Sequence, residues 1–198
     1  MFKELKPAIV IFALLSVLTG VVYPLVVTGI AQVAFPSKAE GSIIYKDGRA
    51  VGSRLIGQAF SDPKYFWGRA SATSNFAYNA MASGGSNLGP TNPALAEAVK
   101  ARAAVLLAAD PGNTSAIPVD LVTASASGLD PHISPDAAMY QAVRVARVRG
   151  LSEEVVKELV ARYTEKRWIG FIGEERVNVL ELNLALDSGK SYTYKITR

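Results

Sequence analysis

Residues 8–34 contain no Asp, Glu, Lys, Arg or His, and aliphatic side chains dominate them. A bilayer core about 30 Å thick is crossed by roughly 20 apolar residues in a helix, which satisfies its own backbone hydrogen bonds. This stretch is long enough to span. A secretory leader has an apolar region of roughly 7 to 15 residues followed by an Ala-x-Ala-like cleavage site. Here the run is longer, and Ala31 and Ala34 have the wrong spacing. A retained anchor is therefore preferred over a cleaved leader or a buried core helix.

Within this span Ser16, Thr19, Gly20 and Tyr23 fall at i, i+3, i+4 and i+7, one face of a helix. Small and hydroxylated residues let membrane helices approach closely and hydrogen-bond, so this face is a candidate contact for a partner helix. Pro24 removes a backbone donor and clashes with the preceding turn, so a kink is expected there. Lys3 and Lys6 precede the span with only Glu4 against them, which places the N-terminus in the cytoplasm by the positive-inside rule. The expected organisation is a short cytoplasmic segment (1–7), a transmembrane helix (8–35) and one compact extracytoplasmic α+β domain (36–198).

Cysteine is absent, which excludes disulfides, thiolate zinc sites and cysteine nucleophiles. The net charge of +4 is dispersed along the chain and does not form the basic stripe of a nucleic-acid-binding protein.

After the span, residues 42–45 and 51–56 flank an Asp47-Gly48 turn and read as a hairpin. Residues 61–93 are rich in Gly, Ser, Asn and Pro and lack any period, so a long loop region is expected, ordered by Tyr65, Phe66, Trp67, Phe76 and Tyr78. Helices are expected from Asn92-Pro93 to about Ala109, from Ser134-Pro135 to Gly150, and from Ser152 through Tyr163, each opened by a capping residue. Arg144, Arg147 and Arg149 are read as complementing the second helix's C-terminus. Residues 177–182 and 192–196 read as closing strands.

Three stretches invite a chemical reading. The Gly-rich run Ser83-Gly84-Gly85-Ser86-Asn87-Leu88-Gly89-Pro90 lacks the Gly-Lys-Ser/Thr ending of a P-loop and reads as a structural turn. Ser125, Ser127, Asp130 and His132 lie within eight positions, yet no Gly-x-Ser-x-Gly elbow accompanies them, so a hydrolase is disfavoured. One histidine and scattered carboxylates offer no metal-binding pattern.

Several ordered motifs together carry a resemblance over nearly the whole chain. They include Thr19-Gly20-Val21-Val22-Tyr23-Pro24-Leu25, Gly52-Ser53-Arg54-Leu55-Ile56-Gly57-Gln58, Tyr65-Phe66-Trp67-Gly68-Arg69 and Ser83-Gly84-Gly85-Ser86-Asn87-Leu88. Further on stand Asp120-Leu121-Val122-Thr123-Ala124-Ser125-Ala126-Ser127-Gly128-Leu129-Asp130, then Gln141, Arg144-Val145-Ala146 and Leu182-Asn183-Leu184-Ala185-Leu186-Asp187. The chain resembles the C subunit of Kdp-type potassium-transporting P-type ATPases. Ala70 departs from it, standing where proline is common in that family.

The resemblance implies a non-catalytic subunit of an ATP-driven potassium import complex in the bacterial inner membrane. Its partners would be a channel-like A subunit, a catalytic P-type B subunit and a small F subunit, together with the lipid bilayer. The Asp-Lys-Thr-Gly signature of P-type phosphorylation is absent here, so catalysis is expected in a partner. The resemblance further implies a nucleotide loop at Ser125, Ala126, Ser127 and Gly128 with Gln141, where ATP would bind; no firmly held cofactor is otherwise expected. An extracytoplasmic position for that loop runs against it, since ATP is inside the cell. The alternative reading is a membrane-anchored extracytoplasmic binding module.

Overall fold

The computed structural model describes residues 3–188, so the strand expected at 192–196 lies outside the described residues. The chain divides into a unit that runs up to Ile43 and a second that begins at Ile44.

In the first unit a single apolar helix runs Leu5–Ala34, 30 residues with none of its most apolar window buried. It has three parts: α1 (Leu5–Val17), a π turn (Leu18–Val22) and α2 (Tyr23–Ala34). Pro24 explains the π turn. In α-helical register its ring would meet the carbonyl of Gly20 and leave that carbonyl without a donor. The chain instead widens by one residue, and the Tyr23 N–H donates to Leu18 O, five positions back. The kink expected at Pro24 is thus taken up as a change of helical register. One inserted residue rotates the C-terminal half of the helix by roughly 100°. Ser16, Thr19 and Gly20 stay on neighbouring positions, whereas Tyr23 is carried round the axis. Thr19 Oγ1 donates to Leu15 O at 2.7 Å, which satisfies its hydroxyl inside the helix. Phe35, which leaves the helical dihedrals just before Pro36, ends the helix, and one turn, α3 (Pro36–Ala39), comes next.

The hairpin joins β1 (Ile43–Lys46) to β2 (Arg49–Ser53). Asp47 (φ 51°) and Gly48 (φ 76°) both adopt the left-handed conformation that a two-residue type I′ connection requires.

The second unit is α+β. Its helices are α4 (Pro93–Ala109), α5 (Val119–Val122), α6 (Pro135–Arg149), α7 (Glu153–Arg162) and α8 (Val179–Ser188). Three begin where the sequence indicates: Asn92, Ser134 and Ser152 each accept a backbone N–H of the first turn. Gly150, at φ 66°, closes α6. A small antiparallel sheet has the order β3 (His132–Ile133), β5 (Arg176–Asn178), β4 (Thr164–Glu165), with Val177 opposite both Ile133 and Thr164. Ala137, Ala142, Val145, Val156, Val160, Val177 and Leu182 are fully buried and form the heart of the core.

The strand expected at 177–182 is corrected by the structure. Only its first two residues lie in β5. Asn178 Oδ1 accepts the Glu181 N–H at 3.1 Å, caps a helix, and turns the remainder into α8.

Candidate functional site

Residues 125–128 form a tight corner between two loops. Ser125 is buried, its N–H donates to Ala70 O at 3.2 Å, and its Oγ accepts the Gly128 N–H at 2.9 Å. Ser127 O accepts the Gly84 N–H at 2.8 Å and the Ser83 hydroxyl at 3.0 Å, so the Gly-rich run packs directly onto the corner. Gly85 lies so close that an added Cβ would stand 2.9 Å from Ala126 O. Gly128 has φ +67° and no room for a side chain, with Gly84 O 2.7 Å and Thr73 Cγ2 2.5 Å from where its Cβ would be. Ser71 Oγ donates to Gly128 O at 2.7 Å. Ala126 and Ser127 are the exposed members, facing a shallow cavity of about 540 Å³ that Arg69 and Asp130 also line.

Gln141 lies elsewhere and is already occupied. It is 1% exposed on α6, its Oε1 accepts the Trp67 N–H (2.8 Å) and an Arg144 N–H (2.7 Å), and its Nε2 donates to Trp67 O and Ala137 O. Both donors and both acceptor positions of the amide are used within the protein. Asn183 of α8 does the same one residue earlier, accepting the Phe66 N–H at 2.9 Å and donating to Phe66 O at 2.9 Å. Two buried side-chain amides thereby clamp two successive residues of an otherwise irregular segment. Arg144 donates to Pro63 O and Tyr65 O and lies 4.2 Å above the Trp67 ring. Arg149 donates to Lys64 O and pairs with Asp187, which also accepts the Tyr65 hydroxyl. The three arginines of α6 thus have individual partners: Arg147 pairs with Asp110 at 2.7 Å, and Arg144 is a buried cation, not an exposed charge at a helix end. The one hint in the sequence was the crowd of aromatics at 65–67 inside a stretch of loop composition.

Around the corner the electrostatics are mixed and lean acidic. Burial pushes the Asp130 carboxyl upward, but hydrogen bonds from the His132 side chain and backbone, together with Arg69 at 3.2 Å, outweigh it and hold the group below its usual range. Asp130 also props its neighbours. Burial, with the Asp130 charge adding to it, raises the Tyr78 phenol to about 12, and its hydroxyl donates to Arg69 O at 2.5 Å. A second cavity, about 570 Å³, shares Arg69 and Asp130 and adds Asp120, Asp136, Glu174 and Glu175. A triphosphate entering the first cavity meets Arg69 already paired to Asp130; in the second it meets Arg69 and Arg176, each paired to a carboxylate, beside four further carboxylates that repel it. Among the described residues no group of three or more His, Asp or Glu is placed to hold a metal ion.

Comparisons with known proteins agree with one another. Residues 5–188 match the family model described as "K+-transporting ATPase, c chain". A protein of Polaromonas naphthalenivorans called the potassium-transporting ATPase KdpC subunit is 67% identical over 186 residues, covering 94% of this chain and 95% of its own length. The protein of that name from Methylococcus capsulatus is 62% identical over 188 residues, 95% of this chain and 99% of its own, and that of Variovorax paradoxus is 66% identical over 188 residues, 95% and 97%. With the match running from the N-terminal apolar helix to the end of α8, the chain belongs to the KdpC family of K+-transporting ATPase c chains.

Proposed function

We propose that this chain is an accessory, non-catalytic subunit of a potassium-transporting ATPase, held in the cell membrane by its N-terminal helix and acting through assembly with the channel-like A, P-type B and small F subunits. The observation that carries the reading is the nearly full-length family match joined to a 30-residue apolar helix with no buried window, which is suited to lipid and leaves its small-residue face open to a partner helix. The absence of Asp-Lys-Thr-Gly from the sequence supports assigning phosphorylation to another subunit.

The reading in which Ser125, Ala126, Ser127 and Gly128 bind ATP with Gln141 is the weaker one. Gln141 has no free hydrogen-bonding position, and the corner's glycine is consumed in packing.

Assembly through the helix is tested by Gly20→Leu. Among the described residues nothing beyond Gly20's own stretch of helix lies within 4 Å of where a Cβ would stand, so the substitution should be harmless to this subunit itself. Leucine is well tolerated in lipid, and insertion should survive. Against a partner helix, however, it holds the backbones apart. A tagged chain should recover the A and B subunits at least about fivefold less well as Gly20→Leu than as wild type, with equal membrane levels, a loss of about 1 kcal/mol of association. Equal recovery would place this face against lipid.

Orientation is proposed as N-terminus in, domain out, from Lys3 and Lys6. The chain has no cysteine, so a single introduced one reports alone. Glu158, whose side chain is 74% exposed on α7, suits that purpose. Glu158→Cys should react with an impermeant maleimide in intact spheroplasts; reaction only after lysis reverses the topology.

A further inference from the structure

Between β4 and β5 the chain makes a narrow excursion whose apolar residues face solvent. Trp168 is 70% exposed, Ile169 65%, Phe171 73% and Ile172 44%. Single exposed apolar residues are ordinary, but four within five positions form a patch that needs a partner. The display is built. Trp168 N–H donates to Ile172 O at 2.9 Å and Ile172 N–H to Trp168 O at 3.0 Å, closing a miniature hairpin. Its turn places Ile169 at φ +52°, a conformation a β-branched residue adopts at a cost, followed by Gly170 at φ +82°.

Charge marks the base of the excursion. Lys166 and Arg167 precede the tip and Glu174 and Glu175 come after it, with Arg167 bonded to Glu174 across the base at 2.8 Å. An apolar, aromatic tip above a charged collar is the pattern of a segment that sits at a membrane–water interface, with tryptophan at headgroup level and ions outside it. The collar is continuous: every described residue from 165 to 167 and from 174 to 176 is charged. Chain connectivity favours lipid as well. Only residues 35–42 join the membrane helix to β1, a length that reaches at most about 28 Å fully extended. A bilayer surface is therefore present at high effective concentration for this domain at all times.

We propose that the tip at residues 168–172 is a second membrane contact, entering the boundary between headgroups and acyl chains. The inference rests on the N-terminal helix being an inserted anchor, and does not depend on which side the domain occupies.

The test uses the full chain in vesicles of phosphatidylethanolamine and phosphatidylglycerol, with and without bromine near the headgroup end of the acyl chains. Trp67 and Trp168 are the two tryptophans, and the membrane helix has none, so quenching by bromine reports on the domain. Trp168→Tyr supplies the Trp67 background. The Trp168 component should fall about twofold in brominated vesicles, and Ile169→Ser/Phe171→Ser should abolish most of that fall. Flotation of every variant with the vesicles establishes that the anchor has inserted, which separates failure of the anchor from failure of the tip. Floating protein whose Trp168 is untouched by bromine and freely quenched by aqueous acrylamide overturns the proposal. So does a Trp168 shielded from both quenchers once the A and B subunits are added, which assigns the tip to a protein surface.

Discussion

Arg144→Met should lower the melting temperature of the detergent-solubilised chain by roughly 6 to 12 °C, equivalent to about 3 kcal/mol for a domain of this size. Arg144 is 2% exposed and, among the described residues, no carboxylate is bonded to its guanidinium; carbonyl oxygens of Pro63 and Tyr65 and the Gln141 amide oxygen hold it instead. Burial is the main reason its pKa is brought down to about 10. Methionine fills much of the volume and removes the cost of burying a charge, which alone would be stabilising. It leaves three acceptors each short of a donor, Gln141 Oε1 buried and the carbonyls of Pro63 and Tyr65 part-buried, at about 1 kcal/mol apiece, and removes a cation from the Trp67 face. Those losses outweigh the gain. Arg144→Lys should recover little, because an ammonium cannot fork between Pro63 O, Tyr65 O and Gln141. A shift below about 2 °C for the methionine variant would show that the carbonyls rehydrate and that the cation is incidental.

Gly128→Ala should destabilise the domain by about 3 kcal/mol while Ser127→Ala changes stability by less than about 0.5 kcal/mol. The glycine stands at φ +67°, where any Cβ is disfavoured, and its Cβ would press on the Gly84 carbonyl and the Thr73 methyl. Relief requires residues 83–85 to lift away, breaking the Gly84 N–H to Ser127 O bond. Ser127, by contrast, is exposed and offers only an Oγ that accepts the Leu129 N–H. The pair also separates two meanings of the same motif. If the corner is a nucleotide site, Ser127→Ala should reduce retention of the intact pump on immobilised ATP analogue; if it is a structural corner, only Gly128→Ala affects the pump, through loss of folded subunit. Chemical denaturation of both variants decides the stability part, and comparable midpoints for the two would contradict the packing argument.

The local punctuation of the fold was legible from residue types. Asn92-Pro93, Ser134-Pro135, Ser152 and Gly150 mark helix ends because their side chains, or the lack of one, satisfy backbone groups nearby. Asp47-Gly48 reads as a hairpin turn for the same local reason. The misreading of 177–182 has a local cause too. Val177, Val179 and Leu180 looked like strand material, but Asn178 followed three residues later by Glu181 is a helix-start pattern, and the burial of Val179, Leu182, Asn183 and Leu186 has helical spacing. The hydrogen bonds from Gln141 and Asn183 to Trp67 and Phe66 belong to another category. Partners 74 and 117 positions apart leave no periodic trace, so the sequence shows the ends of each bond without the bond. For that reason Gln141 reads as free to meet a ligand until its neighbours are seen.

The two amide clamps give residues 66 and 67 the backbone pairing of a strand without a neighbouring strand: each residue's N–H and C=O are both taken, by side chains standing on α6 and α8. In hydrogen-exchange terms the Phe66 and Trp67 amides belong to the slow core of the domain despite lying in irregular chain. Deuterium should reach them only when Gln141 or Asn183 lets go, so fraying of this segment breaks two side-chain bonds per residue and is expected to be coupled to α6 and α8.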